Sequence, residues 1–190
     1  MREVDLLRAA FRELHGASLH GFALLLTVGD RSRAASIAST TLASGVARVA
    51  DLRHPERAAA WLRAHVVRTV RRTAESRRHS RSERRAILLE LGVPDPAIAT
   101  LEGMTLDARA AVVASSVERF ALVDVATILN RDVEATRRML RDARRRYLSD
   151  AMHWLGSVPR EGLVGGAIAA RVDDAAARAL GRLGGAEGSA

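Results

Sequence analysis

DVATILNRDVEATRRMLRDARRRYL, residues 124–148, sets seven arginines and four acids around a short apolar repeat. At about 100° per residue, Thr136, Leu140, Ala143 and Tyr147 fall in one narrow stripe, while Arg137, Arg138, Arg141, Arg144 and Arg145 fall in a separate arc. The segment reads as a helix with one core stripe and one cationic face. From Arg137 to Arg146 six arginines stand against Asp142 alone, a local net of +5. Just upstream, Leu122, Val125, Ala126 and Leu129 form a second stripe. Asn130 suits a left-handed turn at that helix's end, and Asp132 suits the N-cap of the next helix. The expected unit is helix, short turn, helix.

Two readings of the arginine face follow. Arginine stems can cover apolar neighbours on a merely solvated helix. Alternatively, the second helix of such a unit enters the major groove of duplex DNA. In that geometry Glu134, Arg137, Arg138 and Arg141 approach base edges, and Arg144, Arg145 and Arg146 meet phosphates.

Working outward, apolar residues recur at three and four throughout and no stretch alternates, so the fold class is all-α. Leu106, Ala110, Val113 and Val117 predict a supporting helix starting near Thr105. The first helix is expected over about Val4 to Thr27, with Leu7, Phe11, Leu14, Phe22 and Leu25 on one side. Val28-Gly29-Asp30 ends it and offers Asp30 as the next N-cap. A second helix, about Arg31 to Ala50, puts Ala34, Ile37, Thr41, Val46 and Val49 near one face. A third starts at His54-Pro55 and buries Ala58, Trp61, Leu62, His65, Val66 and Val70.

Nine arginines against Glu75 and Glu83 lie between Arg63 and Arg85, a local net of +7. TAESRRHSRSERR, residues 73–85, is expected to be a mobile linker or a frayed helix end. A short helix near Ala86 to Leu91 follows before GVPDP breaks the chain. The tail from Gly156 is neutral, and Leu163, Ile168, Val172, Ala176 and Leu180 could make one amphipathic helix. The predicted layout is a helical unit at 1–74, a basic linker with a short helix at 75–104, a helix-turn-helix unit at 105–155 and a Gly/Ala-rich tail at 156–190.

The 190 residues carry a formal charge of +8 and a pI of about 11.4, which favours an acidic partner, nucleic acid or an anionic membrane. All thirty basic residues are arginine, so every cation can fork onto two phosphate oxygens or a guanine edge. There is no cysteine, which excludes disulfides and thiolate metal sites and fits a reducing cytoplasm. MREVDLLRAAFREL has no continuous apolar core for a signal peptide, and the uncharged run from Leu14 to Gly29 is too short and polar to span a bilayer. A cytoplasmic protein with no membrane association is expected.

Enzymatic chemistry finds no purchase. The six histidines offer no i, i+4 metal pair, Gly165-Gly166 follows no strand, and Asp173-Asp174 diverge on a helix. No serine sits in a nucleophile elbow. No catalytic residue, metal or cofactor is expected.

The order FRELHGASLHGFALLLTVGDRSRAASIASTTL, then HPERAAAWLRAHVVRTVRR, then DVATILNRDVEATRRMLRDARRRYL resembles the extracytoplasmic-function sigma factors of bacterial RNA polymerase. The likeness covers about residues 8–72 and 105–150. It implies a first unit that binds core polymerase and the melted minus-ten promoter element, and a second that reads the minus-thirty-five element. By position, the minus-ten surface would use Arg53, Arg57, Arg63, Arg68, Arg71 and Arg72. The minus-thirty-five surface would use Glu134, Arg137, Arg138, Arg141, Arg144 and Arg145.

Trp61 matches the family's tryptophan and reads as core. An anti-sigma factor is a common partner in that family. Ala35, Ser36, Ser39 and Thr40 stand where the family's polymerase-gripping acids and glutamine are expected, and Val46 where its tryptophan lies. Arg131 and Thr136 replace usually apolar residues, a change expected to loosen the turn. The resemblance therefore leaves two expectations open. One is a sigma factor directing core polymerase to promoters. The other is a sigma-derived helix-turn-helix regulator with weakened or no polymerase binding.

Overall fold

A computed structural model describes residues 3–73 and 80–156. The expected tail helix and residues 74–79 of the linker lie outside the described residues. Among the described residues every regular element is a helix, as the three-and-four periodicity predicts.

Helix α1 (Glu3–Leu26) ends where Gly29 N donates to Leu24 O at 3.0 Å, with Val28 at φ 50° and Gly29 at φ 81°. A Cβ on Gly29 would collide with the Arg84 carbonyl, so glycine serves both the turn and the close approach of another helix. Asp30 then caps α2 (Arg31–Arg48), accepting from Arg33 N at 3.1 Å. Helix α2 packs along α1 because Gly45 leaves room: a Cβ there would lie 2.9 Å from Phe11 Cε1 and 3.0 Å from Leu62 Cδ2.

That slot turns α1 away from its expected face. Phe11, Phe22 and Leu25 are buried as expected, but Leu7 and Leu14 are 45% and 72% exposed, and the core row runs through His15, Leu19 and Leu26 instead. The histidine is what hides this row from a purely apolar count. It packs edge-on to Phe11 at 4.5 Å, and burial, helped by Arg63, pushes its pKa down. Two 3₁₀ turns, Val49–Asp51 and Pro55–Arg57, lead into α3 (Ala58–Arg72), which buries Ala58, Leu62, Val66 and Val70. Trp61 and His65 are only partly covered, stacked edge to face at 5.8 Å, with Trp61 packed on the core.

The segment expected to be a basic linker with one short helix carries two helices. Ser80 and Glu83 close a reciprocal capping box, Glu83 N to Ser80 Oγ at 3.2 Å and Ser80 N to Glu83 Oε2 at 2.6 Å, which starts α4 (Arg81–Glu90) five residues earlier than expected. Pro96 sits in the first turn of α5 (Asp95–Gly103), so GVPDP begins a helix rather than merely breaking one. Leu88, Val93, Ile98 and Leu101 are buried. Arg81 and Arg85 both reach Glu102, at 2.6 and 3.0 Å, so part of the basic run is used internally.

Helix α6 (Leu106–Val112), capped by Thr105, opens into a π turn at Val113–Val117. The chain leaves through Arg119 at φ 60° into α7 (Leu122–Leu129) and α8 (Val133–Gly156). One cluster of buried apolar side chains takes in residues of α1–α3, α4–α5 and α6–α8 together.

Arginines join these groups. Arg63 is 4% exposed and Glu118 8%; Nη2 and Nε of Arg63 donate to the carboxylate at 2.6 and 2.9 Å. The guanidinium carbon also lies 5.4 Å from the Phe120 ring centroid. Burial lifts the Glu118 carboxyl above the ordinary range, and Arg63 opposes that shift without cancelling it. Arg109 donates to Leu26 O at 2.6 Å, Leu101 O at 2.8 Å and Met104 O at 3.1 Å, closing the ends of α1 and α5 at once. Arg33 does the same for α3, donating to Val70 O at 2.9 Å and Thr73 O at 2.6 Å.

Glu118→Ala is expected to lower the unfolding free energy by about 3–5 kcal/mol, since it strands a buried guanidinium. Arg63→Met combined with Glu118→Met should lose markedly less than either single change. Urea titration followed by circular dichroism measures both. A single change costing under about 1 kcal/mol would match an exposed pair and contradict this packing.

Candidate nucleic-acid interface

Helix α7 stops at Asn130, which takes φ 53° and ψ 51° in the left-handed region. Asn130 N donates to Thr127 O at 3.2 Å and Arg131 N to Ala126 O at 3.0 Å, the paired closure of a Schellman turn. Asp132 then caps α8, accepting from Ala135 N at 2.7 Å through Oδ1. The helix, short turn and helix read from the sequence are all present.

Thr136, Leu140 and Ala143 are buried at 0%, 6% and 7%, and Tyr147 is half-buried against the core. The substitutions expected to loosen the turn do not do so. The Thr136 hydroxyl donates to Asp132 O at 2.9 Å, so a polar atom at a core position is satisfied within its own helix. Arg131 lies outside the core, with Nη2 2.6 Å from Asp107 Oδ2.

Opposite the stripe, Glu134, Arg137, Arg138, Arg141, Arg144 and Arg145 are all exposed, as is Arg146. The five arginines of the arc span about 120° of the helix surface at about 100° per residue. Arg137 reaches Glu134 at 3.2 Å and Arg145 reaches Asp142 at 3.9 Å, both pairs well exposed. Such pairs contribute little and exchange readily for phosphate. Arg144 touches Ser115 Oγ at 3.5 Å. A shallow groove of about 860 Å³ runs along this arc, floored by Phe120, Leu122 and Leu140.

The residues assigned by resemblance to a minus-ten surface do not stay together. Arg63 is withdrawn into the core by Glu118 and offers nothing to a ligand. Arg57 sits over α7, with Nη2 3.3 Å from Thr127 Oγ1 and 4.0 Å from Asp124. Arg71 binds Asp107 Oδ1 at 2.7 Å. Arg53, Arg68 and Arg72 are exposed. Ala35, Ser36, Ser39 and Thr40 are exposed together on α2, a small and neutral strip.

Asp107 and Glu118 are the residues that sequence reasoning missed. Each partners an arginine from a distant segment, and the only local hint was an acid beside an arginine-rich unit. Burial raises the Asp107 carboxyl, but hydrogen bonds and charge from Arg131 and Arg71 outweigh it and hold its pKa below the usual value. Among the described residues no group of three or more His, Asp or Glu side chains could hold a metal ion, and no helix is long and apolar enough to cross a membrane. No protein-family model, curated protein or solved structure matches the chain.

Two substitutions test this geometry. Asn130→Gly is expected to leave stability nearly unchanged, while Asn130→Val costs about 1–2 kcal/mol for a branched side chain at positive φ. Equal midpoints for the two variants in urea would contradict the turn.

The second concerns acid. Because the folded pKa of Asp107 lies below its unfolded value, its contribution is full above about pH 4 and is lost as pH falls through the lowered value. Asp107→Asn should therefore flatten part of the stability loss below about pH 4. An acid limb identical to that of the parent would remove Asp107 from this role.

Proposed function

We propose that the protein is a transcription-initiation factor of the sigma type, non-enzymatic, with α8 reading duplex promoter DNA. The observation that carries this is the pairing of a closed turn with an exposed arc: Asn130 and Asp132 set the angle of α8, and its arginines face outward. Arg137, Arg138 and Arg141 lie on the N-terminal half, where a recognition helix meets base edges, and arginine is the side chain suited to guanine. Arg144 and Arg145 follow as phosphate contacts, adding affinity without sequence information. In this reading the protein works in the cytoplasm, its partners are promoter DNA and core polymerase, and an anti-sigma factor is the natural controlling partner.

A second reading is favoured by one surface. The exposed strip of α2 at Ala35, Ser36, Ser39 and Thr40 carries no acid to hold a basic polymerase surface. A sigma-derived regulator that binds duplex DNA without polymerase fits that strip better.

The test begins with selection of a bound duplex from a random pool. Replacing Arg137, Arg138 and Arg141 together by alanine should reduce affinity for the selected duplex at least tenfold, since each base contact is worth about 1–3 kcal/mol. Replacing Arg144 and Arg145 should instead make the dependence of log K on log salt shallower by roughly 2. Affinity indifferent to the triple change would sink both readings of α8. A pull-down with core polymerase then separates them: retention supports the sigma factor, and absence the regulator.

A further inference from the structure

Helix α3 and the α7–α8 turn enclose a groove of about 350 Å³, lined by Arg68, Arg71 and Arg72 on one side and Thr127, Leu129 and Asn130 on the other. Arg68 and Arg72 are four residues apart, so they share one face of α3 and stand about 6 Å apart along its axis. Among the described residues neither is engaged by an ion pair or hydrogen bond. Among the described residues the acid bonded to Arg71, Asp107, is shared with Arg131, with one carboxylate oxygen to each. Among the described residues the groove therefore keeps an uncompensated positive charge.

Its far wall continues into the start of α8. Thr127 and Asn130 also line the neighbouring depression, with Arg131, Asp132 and Val133. The surface thus passes from Arg72 and Arg68, over the turn, to Val133 in the first turn of α8. Two features hold it as one surface: the buried Arg63–Glu118 pair and the carboxylate bridge at Asp107. A duplex seated on α8 presents on each strand one phosphate per about 3.4 Å of helix axis, so a face with two free guanidiniums one helical turn apart can follow a backbone.

We propose that this groove is a phosphodiester site, and that Arg68 and Arg72 hold one flank of the same duplex that α8 reads. This rests on the duplex-reading role of α8. It departs from the use of α3 that the sequence resemblance implied, because these arginines here grip paired DNA beside the helix-turn-helix unit, not extruded bases at a separate element. Arg71 takes part through Asp107, as a positioning residue for the turn.

The experiment uses the full chain with the duplex selected from a random pool, and the same sequence as a single strand. Arg68→Ala with Arg72→Ala changes two exposed residues that make no ion pair or hydrogen bond among the described residues, so folding should be preserved, which circular dichroism checks. The expected result on duplex is a salt dependence of log K shallower by about 2, with unchanged base preference. Hydroxyl-radical protection should disappear from one flank of the footprint while the centre stays protected.

A duplex salt slope and footprint equal to the parent's, whether or not single-strand binding falls, would overturn this inference and leave the role of α8 standing. If the parent itself fails to bind any duplex in the pool, the role of α8 falls first and this site falls with it.

Discussion

The ion pair between Arg63 and Glu118 sets the shape of the molecule. Both charges are almost fully withdrawn from water, which is costly for each alone and tolerable only with two short hydrogen bonds and no other exposed option. The pair bridges α3 and the segment after the π turn, 55 positions apart in the chain. It thereby fixes where α7 can begin and which face α3 turns outward. Phe120 beneath the guanidinium and Arg109 across the ends of α1 and α5 extend the same arrangement. Helices α1–α3 and α6–α8 are consequently packed on one another rather than strung on a linker.

Arginine is the only cation in this chain, and it is divided between two uses. Within the fold, the planar fork satisfies several acceptors at once: Arg33 and Arg109 close helix ends, Arg63 meets a buried carboxylate, and Arg71 and Arg131 share one at the surface. Outside, the same fork makes only exposed, exchangeable contacts along α8, and among the described residues it is unengaged at Arg68 and Arg72 on the outer face of α3. A net charge alone does not separate these uses. Position relative to the buried stripe does, and on α8 every arginine of the arc lies away from Thr136, Leu140 and Ala143.

Local rules carried well where the partner is close in sequence. The stripe of α8, the left-handed Asn130, the Asp132 cap and the Asp30 cap all depend on neighbours within four residues, and each was legible. The capping box at Ser80 and Glu83 was equally local, but nine arginines around it drew the reading toward a linker. The face of α1 was misread because its core row includes His15 and because Gly45, on another helix, decides where Phe11 fits. Arg63 looked like a surface cation for the same reason: its burial depends on Glu118, and no periodicity reports a partner that far away. The candidate DNA surface was thus legible on α8 and only partly on α3.

Rigid packing of the two helical groups is the premise behind both the angle of α8 and the groove beside it. The absence of cysteine allows clean labelling: nitroxides at Ser39→Cys on α2 and Arg145→Cys on α8, with their separation measured by double electron–electron resonance in the free protein. A single narrow distance distribution that broadens when Glu118→Ala is introduced is the predicted result. A broad or multimodal distribution in the otherwise unaltered chain would contradict it, leaving α8 on a unit that moves independently of α1–α3.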